Sequence, residues 1–410
     1  MGVIQRIWYF SFWFFVRTAL MIYYREIKIS GKENLKKNAP MIWGANHENA
    51  LIDPLIMTTR FPLSIHYLVR ADVFNNPIVR AFLNSLNLMP VYRMSDGVNS
   101  VKANEKIFDN CFKIFAKGEH LILFPEATHD DRRLVKRAKK GISRIAIGAM
   151  NYKDAPDELY IIPTGMNYSR HQYFRSSVHI MFGTPIKVEK QEMTSENIDK
   201  IKDLYDAGLQ EVSVALPRKD FEVYNSIFFH DQNPGEVLDP VDINTKASEI
   251  SQYISEEQKE QVLKKTKELE KAGVKFPFEA KSNYWKHALL AIILSPFAFV
   301  GFLSNLPALL AGNILMKGFK DKVWKDTIHF AIGMVLVPTF WLVLFFIVKG
   351  LSDVWWIGGG VVLFSLVCLI LMKIVTRHWR VFTSNRKVFG NPELKKKYEE
   401  FINLIAQFRA

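Results

Sequence analysis

The chain has 410 residues, a hydrophobic content of 49% and a formal net charge of +13, from 54 basic and 41 acidic residues. This length suits two or three domains. No nucleic-acid-binding motif accompanies the basic excess, so nucleic acid is not an expected partner. The two cysteines, Cys111 and Cys368, lie far apart in the sequence. We therefore predict no disulfide and a reducing compartment.

The first 24 residues are rich in aromatic side chains and are interrupted by Arg17. They contain no small-residue cleavage site of the kind that ends a signal peptide. Aromatic side chains favour the interface between bilayer and water over the hydrocarbon centre. We therefore predict an interfacial, monotopic anchor helix over residues 1–24 rather than a membrane span.

Between residues 25 and 215, short apolar runs alternate with longer amphipathic ones, as is typical of an α/β domain. This pattern predicts a mixed sheet flanked by helices. The expected strands are 26–30, 40–45, 65–70, 88–92, 120–124, 159–164 and 178–188. The expected helices are 54–60, 75–86, 98–117, 138–151 and 195–212. Residues 216–283 are polar and helical in pattern, which predicts a connecting region.

Three segments contain no Asp, Glu, Lys or Arg, namely 288–316, 327–348 and 354–372. Each is close to the roughly 20 residues that cross a bilayer core as a helix. With the basic excess, they indicate an integral membrane protein with anionic lipid as a partner. We predict a C-terminal α-helical transmembrane region over residues 284–376.

The charges that flank these segments predict their topology. Basic residues lie outside both ends of the pair 327–348 and 354–372, whereas the turn between them is not basic. The positive-inside rule then predicts that this pair spans the membrane as a hairpin. The segment 288–316 is expected to be re-entrant or a broken hairpin. The domain at 25–215 and a basic tail with a terminal helix at 377–410 would then lie in the cytoplasm, at an inner or cytoplasmic membrane.

The sequence HENALIDP occupies residues 47–54, directly after the apolar run 41–45. The run predicts a buried strand, and Asp53 followed by Pro54 predicts a helix start with the aspartate as N-cap. A histidine at a strand's end and an aspartate at a helix's beginning meet across one tight connection. That is the geometry of a general base oriented by a carboxylate. Because a lone His and Asp six residues apart are usually unrelated, the spacing alone does not establish the pair.

Three further blocks each end a predicted strand, namely LMPVYR at 88–93, LILFPEATH at 121–129 and YIIPTGMNY at 160–168. Open α/β sheets collect ligand-binding groups at the ends of their strands. Basic side chains in or after these blocks supply cations for a phosphate. They are Arg93, Arg132, Arg133, Lys139 and Lys140.

Together and in this order, the four blocks resemble those of the glycerol-3-phosphate and 1-acylglycerol-3-phosphate acyltransferase family, over about residues 25–190. The resemblance implies that His47 takes the proton from the acceptor hydroxyl and that Asp53 orients it. It also implies a substrate site, with Pro163 on its apolar side, that consists of Asn49, Arg93, Glu126, Thr128, His129, Arg132, Arg133, Lys140 and Pro163. It implies no metal or other cofactor, and an acyl-CoA or acyl carrier protein thioester as donor.

Two features depart from the family's pattern. In the family, the catalytic His and Asp and the residues between them form the His–Asp box, which usually has four intervening residues. Here five residues separate His47 from Asp53. This longer box also occurs in a branch of the family that keeps an asparagine at the position of Asn49. The third block usually reads Glu-Gly-Thr-Arg, and here residues 126–129 read EATH. Neutral histidine is a weaker and pH-dependent phosphate ligand, so we expect His129 to bind phosphate more weakly than the arginine of the usual block. Arg132 or Arg133 is the expected replacement.

The sequence therefore predicts a membrane-bound acyltransferase of phospholipid biosynthesis. It would transfer a fatty acyl group from a thioester directly to the hydroxyl of 1-acyl-sn-glycerol 3-phosphate, since no Ser or Cys nucleophile elbow is visible. The alternative acceptor is glycerol 3-phosphate, which the longer box favours, while the membrane segments favour the lipid. Two non-enzymatic classes are a lipid-binding family member, favoured by the altered third block, and a transporter or scaffold. The apolar segments contain no ionisable residue of a transport path except His329.

Overall fold

In the described residues of this computed structural model, eight strands form one mixed sheet in the first of two units. The first unit is Met1–Leu216 with Gly235–Thr245, and the second is Pro217–Pro234 with Lys246–Ala410. The structure describes residues 3–61, 65–92, 100–126, 132–171, 173–281, 283–317, 322–352 and 354–409.

The strands of the first unit are β1 (Glu26–Ser30), β2 (Met41–Ala45), β3 (Ile65–Arg70), β4 (Leu88–Val91), β5 (His120–Leu123), β6 (Leu159–Tyr168), β7 (Ser177–Phe182) and β8 (Ile186–Val188). Their order across the sheet is β1-β7-β6-β2-β5-β3-β4, and β8 pairs with β6. Strand β6 is antiparallel to β7 and β8, whereas the other pairs are parallel. The predicted mixed sheet is confirmed, with the predicted strand 178–188 divided into β7 and β8.

The helices of the first unit are α1 (Val3–Tyr23), α2 (Ile52–Arg60), α3 (Pro77–Ser85), α4 (Ser100–Ala116), α5 (Gly141–Met150) and α6 (Ser195–Val212). Apolar faces of α4, α5 and α6 form one core with the central strands, where Ile42, Leu121 and Ile161 are fully buried. Strand β2 is buried along its whole length because both of its faces are covered. Gly44 is needed there, since an added Cβ would lie 2.5 Å from the Tyr205 ring.

The aromatic segment predicted as an anchor forms α1, and two of its polar groups bind α2. The Trp13 indole donates a hydrogen bond to the carbonyl of Thr58 (3.1 Å), and the Arg17 guanidinium donates one to the carbonyl of Thr59 (2.7 Å). A cation at this position satisfies carbonyls that the helix end leaves without partners. Arg17 therefore interrupts the apolar segment because it fixes α1 to the end of α2. The location of α1 at a membrane interface stays a prediction.

The second unit contains α7 (Phe221–Phe229), the greater part of α8 (Pro240–Tyr253), α9 (Glu256–Lys271), α10 (Trp285–Met316), α11 (Lys322–Ser352), α12 (Trp355–Phe389) and α13 (Pro392–Arg409). Three of the described helices, α10, α11 and α12, are long and apolar enough to cross a membrane. The chain thus has the composition of a membrane protein, as predicted. The terminal helix expected in the tail is α13.

The prediction of a re-entrant or broken hairpin at 288–316 is wrong. This segment is one continuous helix, α10, with Pro296 and Pro307 inside it. Proline is tolerated inside membrane helices because neighbouring helices, Ser and Thr side chains and local adjustments of the helix satisfy the backbone groups that it frees. Helix α12 also continues beyond the predicted span 354–372 and carries the basic residues Arg377 and Arg380 within it.

Candidate active site

The end of β2 and the start of α2 bring His47 and Asp53 together. The imidazole Nδ1 lies 2.8 Å from Asp53 Oδ2. The aspartate side chain is fully buried, whereas 19% of the histidine side chain is exposed. Because the carboxylate accepts from the Nδ1–H group, the lone pair is left on Nε2. The pair therefore presents a proton acceptor, as a general base requires.

The Asp53 carboxylate holds the whole loop rather than capping its own helix. Its Oδ2 also accepts the backbone amides of Glu48 (3.0 Å) and Asn49 (2.8 Å), and its Oδ1 accepts the hydroxyl of Tyr168. A buried carboxylate is stable as an anion when several donors satisfy it. The predicted N-cap role is wrong: the cap residue is Leu51, whose side chain makes no capping bond.

The additional residue of the longer box is accommodated by a left-handed turn. Ala50 has φ 33°, and the carbonyl of Asn49 accepts the amide of Ile52 at 2.8 Å. A positive φ at a residue with a Cβ costs about 1–2 kcal/mol. Strain of this kind persists where surrounding contacts over-determine the backbone, as the Asp53 carboxylate does here.

Strand β5, which pairs with β2, places Phe124 and Glu126 beside the histidine. The Phe124 ring stacks on the His47 ring with centroids 4.2 Å apart. Glu126 is buried, and this burial raises the pKa of its carboxyl to about 8, against hydrogen bonds from the backbone of Lys136 and His47. Glu126 thus holds backbone segments beside the base, and its part in substrate binding stays a prediction.

A second histidine–carboxylate pair adjoins the first. Glu48 Oε2 lies 2.5 Å from His171 Nε2, and Glu48 Oε1 accepts the side-chain amide of Asn46 (3.0 Å). Burial raises the pKa of Glu48, and the contact with His171 opposes that rise. The side chain of Asn49 donates to the carbonyl of His171 at 3.2 Å. Asn49 is therefore at the site as predicted, and here it binds protein backbone.

The other predicted substrate residues are dispersed. The half-buried Arg133 guanidinium donates to the carbonyls of Tyr168 (3.2 Å) and Ser169 (2.8 Å), next to the pair. Arg132 is exposed. The ammonium of Lys140 forms an ion pair with Asp199 at 2.9 Å, on an exposed surface.

Pro163 is opposite Gly44 in the register of β6 and β2, and it packs in the core against α6. The structure gives it a packing role, and a role in shaping the apolar side of the site stays a prediction. Arg93, Thr128 and His129 lie outside the described residues.

Sequence reasoning missed four residues of the network, namely Asn46, Glu48, Tyr168 and His171. Tyr168 ends β6 inside the fourth block, and His171 follows within a polar run after that strand. A run of polar residues after a buried strand is a signal for a site. It does not identify the partners, which lie 115 and 123 residues away in the sequence. No cluster of three or more metal-ligating side chains occurs in the part of the chain that the structure describes.

This arrangement, a His–Asp pair at the strand ends of a mixed sheet flanked by helices, lies within the part of the chain that matches a known family. Residues 26–167 match the acyltransferase family model. This region is therefore similar to the acyltransferase family, and relatives that match it include a glycerol-3-phosphate and a 1-acylglycerol-3-phosphate acyltransferase, in agreement with the resemblance seen in the sequence.

Two relatives illustrate this similarity. The chain is 32% identical over 124 residues to glycerol-3-phosphate O-acyltransferase 1 of Saccharomyces cerevisiae, and 26% identical over 102 residues to 1-acyl-sn-glycerol-3-phosphate acyltransferase of Bacillus subtilis. These regions are 28% and 25% of this chain and 16% and 48% of the relatives, so the chain spans less than half of either. A solved structure of the Thermotoga maritima 1-acyl-sn-glycerophosphate acyltransferase has a TM-score of 0.38 and 18% identity, over 50% of this chain and 80% of that chain.

Proposed function

We propose that the protein is a membrane-bound O-acyltransferase of phospholipid synthesis. It transfers a fatty acyl group from a thioester to the free hydroxyl of 1-acyl-sn-glycerol 3-phosphate, and the product is phosphatidic acid. The observation that carries this proposal is the His47–Asp53 pair, 2.8 Å apart, inside the region that matches the acyltransferase family model. The whole network around Asp53 supports it, because it fixes the base in one orientation.

The reaction follows from the orientation of the imidazole. The acceptor hydroxyl gives its proton to His47 Nε2 while its oxygen attacks the thioester carbonyl carbon. A C–O bond forms, the C–S bond breaks, and the proton passes from the imidazolium to the leaving thiolate. General base catalysis of this kind contributes about 10²–10⁴-fold. Asp53 stabilises the imidazolium, and the Phe124 ring restricts rotation of the imidazole by stacking on it.

Glycerol 3-phosphate is the alternative acceptor, and specific observations favour it. The box here is the longer one, with Ala50 in a left-handed conformation, and the yeast relative is named for glycerol 3-phosphate. The long apolar helices favour a lipid acceptor, because a monoacylated glycerol phosphate partitions into the bilayer. Both acceptors carry a phosphate, for which the candidate cations are the exposed Arg132 and the half-buried Arg133, whose guanidinium donates to the carbonyl of Tyr168.

We also propose where the protein acts. The acyltransferase domain would face the cytoplasm from an inner or cytoplasmic membrane, with α1 at the bilayer surface. The exposed face of α1 supports this location, since Ile4, Ile7 and Phe14 are 85%, 64% and 66% exposed. Apolar residues left on one side of a helix in this way favour a lipid interface.

The experiment is acyl transfer by the purified protein in detergent. Labelled acyl-CoA and acyl–acyl carrier protein are each offered with 1-acyl-sn-glycerol 3-phosphate and, separately, with glycerol 3-phosphate. The proposal predicts phosphatidic acid from the lipid acceptor, with His47→Ala inactive. Lysophosphatidic acid as the main product would establish the alternative acceptor.

Binding without transfer would establish a different class of function. If the folded wild-type protein binds a lysophosphatidic acid vesicle and transfers from neither thioester, the protein is a non-catalytic lipid-binding member of the family. In that case binding should not depend on the imidazole, so wild type and His47→Ala would bind the vesicle equally.

A further inference from the structure

We propose that Tyr168 is a positioning residue that acts on the base through Asp53, an inference that rests on the proposed function. Tyr168 is the last residue of β6, and its side chain is 1% exposed. Its hydroxyl donates a hydrogen bond to Asp53 Oδ1, the carboxylate oxygen that His47 does not use. The three side chains form a chain that starts at a buried phenol and ends at the exposed Nε2 of the base.

The surroundings fix Tyr168 in this position. Arg133 donates to its carbonyl, and its ring lies 6.2 Å from the Tyr24 ring and 5.2 Å from the His171 ring. His171, shortly after β6, makes two further contacts with the His47 loop. Its carbonyl accepts the side-chain amide of Asn49, and its imidazole binds the carboxylate of Glu48. The end of β6 and the residues that follow it thus hold the loop of His47.

A phenol in this position changes the behaviour of the base. When His47 is neutral, the Asp53 carboxylate carries an uncompensated charge; when His47 is protonated, the pair is neutral overall. The hydrogen bond from the Tyr168 hydroxyl stabilises the first state more than the second. Removing the hydroxyl therefore makes protonation of the pair easier. It also frees the carboxylate to rotate, which lowers the fraction of base aimed at the acceptor.

The test is Tyr168→Phe, with Tyr205→Phe as the matched control. Tyr205 is also fully buried, and its hydroxyl has no hydrogen-bond partner among the described residues. For Tyr168→Phe we expect kcat to fall about tenfold, with KM for both substrates within about twofold, and the acid limb of the kcat/KM profile to move to higher pH. Tyr205→Phe should leave all three unchanged. A Tyr168→Phe enzyme with wild-type kcat and profile would overturn the proposal.

Two further measurements keep the test decisive. The double variant Tyr168→Phe/Asp53→Asn should lose no more activity than Asp53→Asn alone, because both act through one carboxylate; additive losses would contradict this. If Tyr168→Phe does not fold, 3,5-difluorotyrosine at 168 preserves the shape and strengthens the donor, so the acid limb should move to lower pH. An unmoved limb would overturn the proposal.

A readout without turnover separates this proposal from the proposed function. Modification of His47 by diethyl pyrocarbonate, resolved by peptide mass spectrometry, reports the neutral imidazole as pH rises. In Tyr168→Phe this modification should begin at higher pH than in wild type, whether or not acyl transfer is seen. If the pH dependence of His47 modification is the same in Tyr168→Phe and wild type, the positioning role is contradicted. If wild type forms no acyl product, only the proposed function is contradicted.

A second inference rests on the second unit alone. We infer that the membrane region crosses the bilayer twice, through α10 and α12, and that α11 does not cross. The chain enters and leaves this region at one place: the buried Asn385 near the end of α12 accepts the amide of Lys281 (2.8 Å) and donates to the carbonyl of Glu279 (2.9 Å), just before α10. An odd number of crossings would separate these residues.

The contacts of the terminal helix α13 also indicate an even number of crossings. Arg409 of α13 donates to the carbonyl of Phe228 in α7 (2.8 Å) and forms an ion pair with Asp231 (3.0 Å). Lys265 of α9 forms an ion pair with Glu400 at 2.8 Å. Helices before and after the apolar region are therefore packed together, and they lie on one side of a membrane.

Helices α10 and α12 are an antiparallel pair along their length. Gly301 allows their close approach, since an added Cβ would lie 2.2 Å from the carbonyl oxygen of Cys368. Further along, the fully buried Asn305 donates to Ser365. Small residues and interhelical polar contacts of this kind hold membrane helices together.

Helix α11 lies across this pair. Ile332 contacts Gly312 of α10, and Phe345 contacts Gly358 of α12. In the antiparallel register set by Asn305 and Ser365, these two glycines are at the same level. Thirteen residues of helix advance about 20 Å, so α11, which holds Pro338 between these two contacts, does not run parallel to the pair. The Trp341 indole fixes the crossing by donating to Asn305 at 3.0 Å.

The test is labelling of single introduced cysteines by a membrane-impermeant maleimide in sealed, oriented vesicles. Exposed positions are Lys271, Lys317, Leu351 and Lys396, each changed to Cys, with wild type as control because both native cysteines are buried. We expect 271 and 396 on one side, and 317 and 351 on the other. Placement of 351 with 271, opposite 396, would mean three crossings. Placement of all four on one side would mean a re-entrant region, and either result overturns the inference.

Discussion

Two of the histidine–carboxylate pairs lie at opposite ends of the same sheet. His47 and Asp53 are 2.8 Å apart at the carboxyl end of β2, and His66 and Glu119 are 2.7 Å apart at the amino ends of β3 and β5. A cavity of about 340 Å³ lies beside His66 and Glu119, and its lining also includes Asn84, Asn87 and Lys113. By distance and by cavity alone, His66 and Glu119 would be the better candidate.

The carboxylates differ in what surrounds them. The Asp53 side chain is fully buried and accepts two backbone amides and a tyrosine hydroxyl besides the imidazole. The Glu119 side chain is 34% exposed, and His66 is its hydrogen-bond partner in the described part of the chain. Burial lowers the pKa of His66 more than Glu119 raises it. A preorganised carboxylate, rather than a short distance, distinguishes the candidate base His47 from His66.

The largest expected effect comes from removing each histidine. His47→Ala should lower the rate of acyl transfer by about 10³-fold, because the acceptor hydroxyl loses its base, whereas His66→Ala should change it less than about twofold. Initial rates of both variants, with folding checked by thermal shift, measure the difference. Equal losses would mean that the pair at the amino ends is as much a part of the site.

The carboxylates give the next effect. Asp53→Asn keeps the shape but removes the charge that stabilises the imidazolium, and we expect kcat to fall about 10²-fold. Glu119→Gln should remain within about twofold of wild type, because Glu119 lies at the amino ends of the strands, at the opposite end of the sheet from His47. Steady-state kinetics of the two variants test this, and a KM effect without a kcat effect at Asp53 would indicate substrate binding instead of catalysis.

Glu126 allows a test of burial by pH. Its pKa is about 8 in the folded protein, against about 4.3 in an unfolded chain. The stability gained by keeping the proton is therefore complete below about pH 4 and is lost as pH rises through about 8. Glu126→Gln stays neutral, so the variant should gain on wild type by about 4 kcal/mol between pH 5 and pH 9. Thermal unfolding in detergent measures this, and a pH-independent difference would contradict it.

The smallest effect concerns the longer box. Ala50→Gly removes the cost of φ 33° and should stabilise the protein by about 0.5 kcal/mol, after the greater entropy of glycine in the unfolded chain is subtracted. Ala207→Gly, on an exposed face of α6, should destabilise by about 1 kcal/mol. A destabilised Ala50→Gly would mean that the turn at Ala50 is not strained.

The parts of this site that are local in sequence could be predicted. Apolar runs that end in His47, Glu126 and Pro163 predict strands from the pattern of side chains alone, and a parallel sheet brings the ends of β2 and β5 to one edge. The prediction that Asp53 is an N-cap was wrong because its carboxylate accepts hydrogen bonds from the preceding loop and from Tyr168 of β6 instead of from its own helix. Dipeptide signals such as Asp-Pro do not contain that information.

The contacts that are distant in sequence could not be predicted. Tyr168 meets Asp53 across 115 residues and His171 meets Glu48 across 123, and only the packing of β6 beside β2 brings them together. The prediction of a re-entrant or broken hairpin at 288–316 failed for a related reason. The charge and length of an apolar segment are properties of that segment alone. The pairing of α10 with α12 depends on contacts between segments, in which Gly301 meets Cys368 and Asn305 meets Ser365.

Chemical rescue is the most direct test of His47 as the base for acyl transfer. In His47→Gly, the space left beside Phe124 can admit imidazole from solution. The account predicts that added imidazole restores acyl transfer in proportion to its neutral fraction, and that it has no effect on wild type or on His66→Gly. A folded His47→Gly enzyme that imidazole does not rescue, or one that is active without it, would contradict the assignment of His47 as the base.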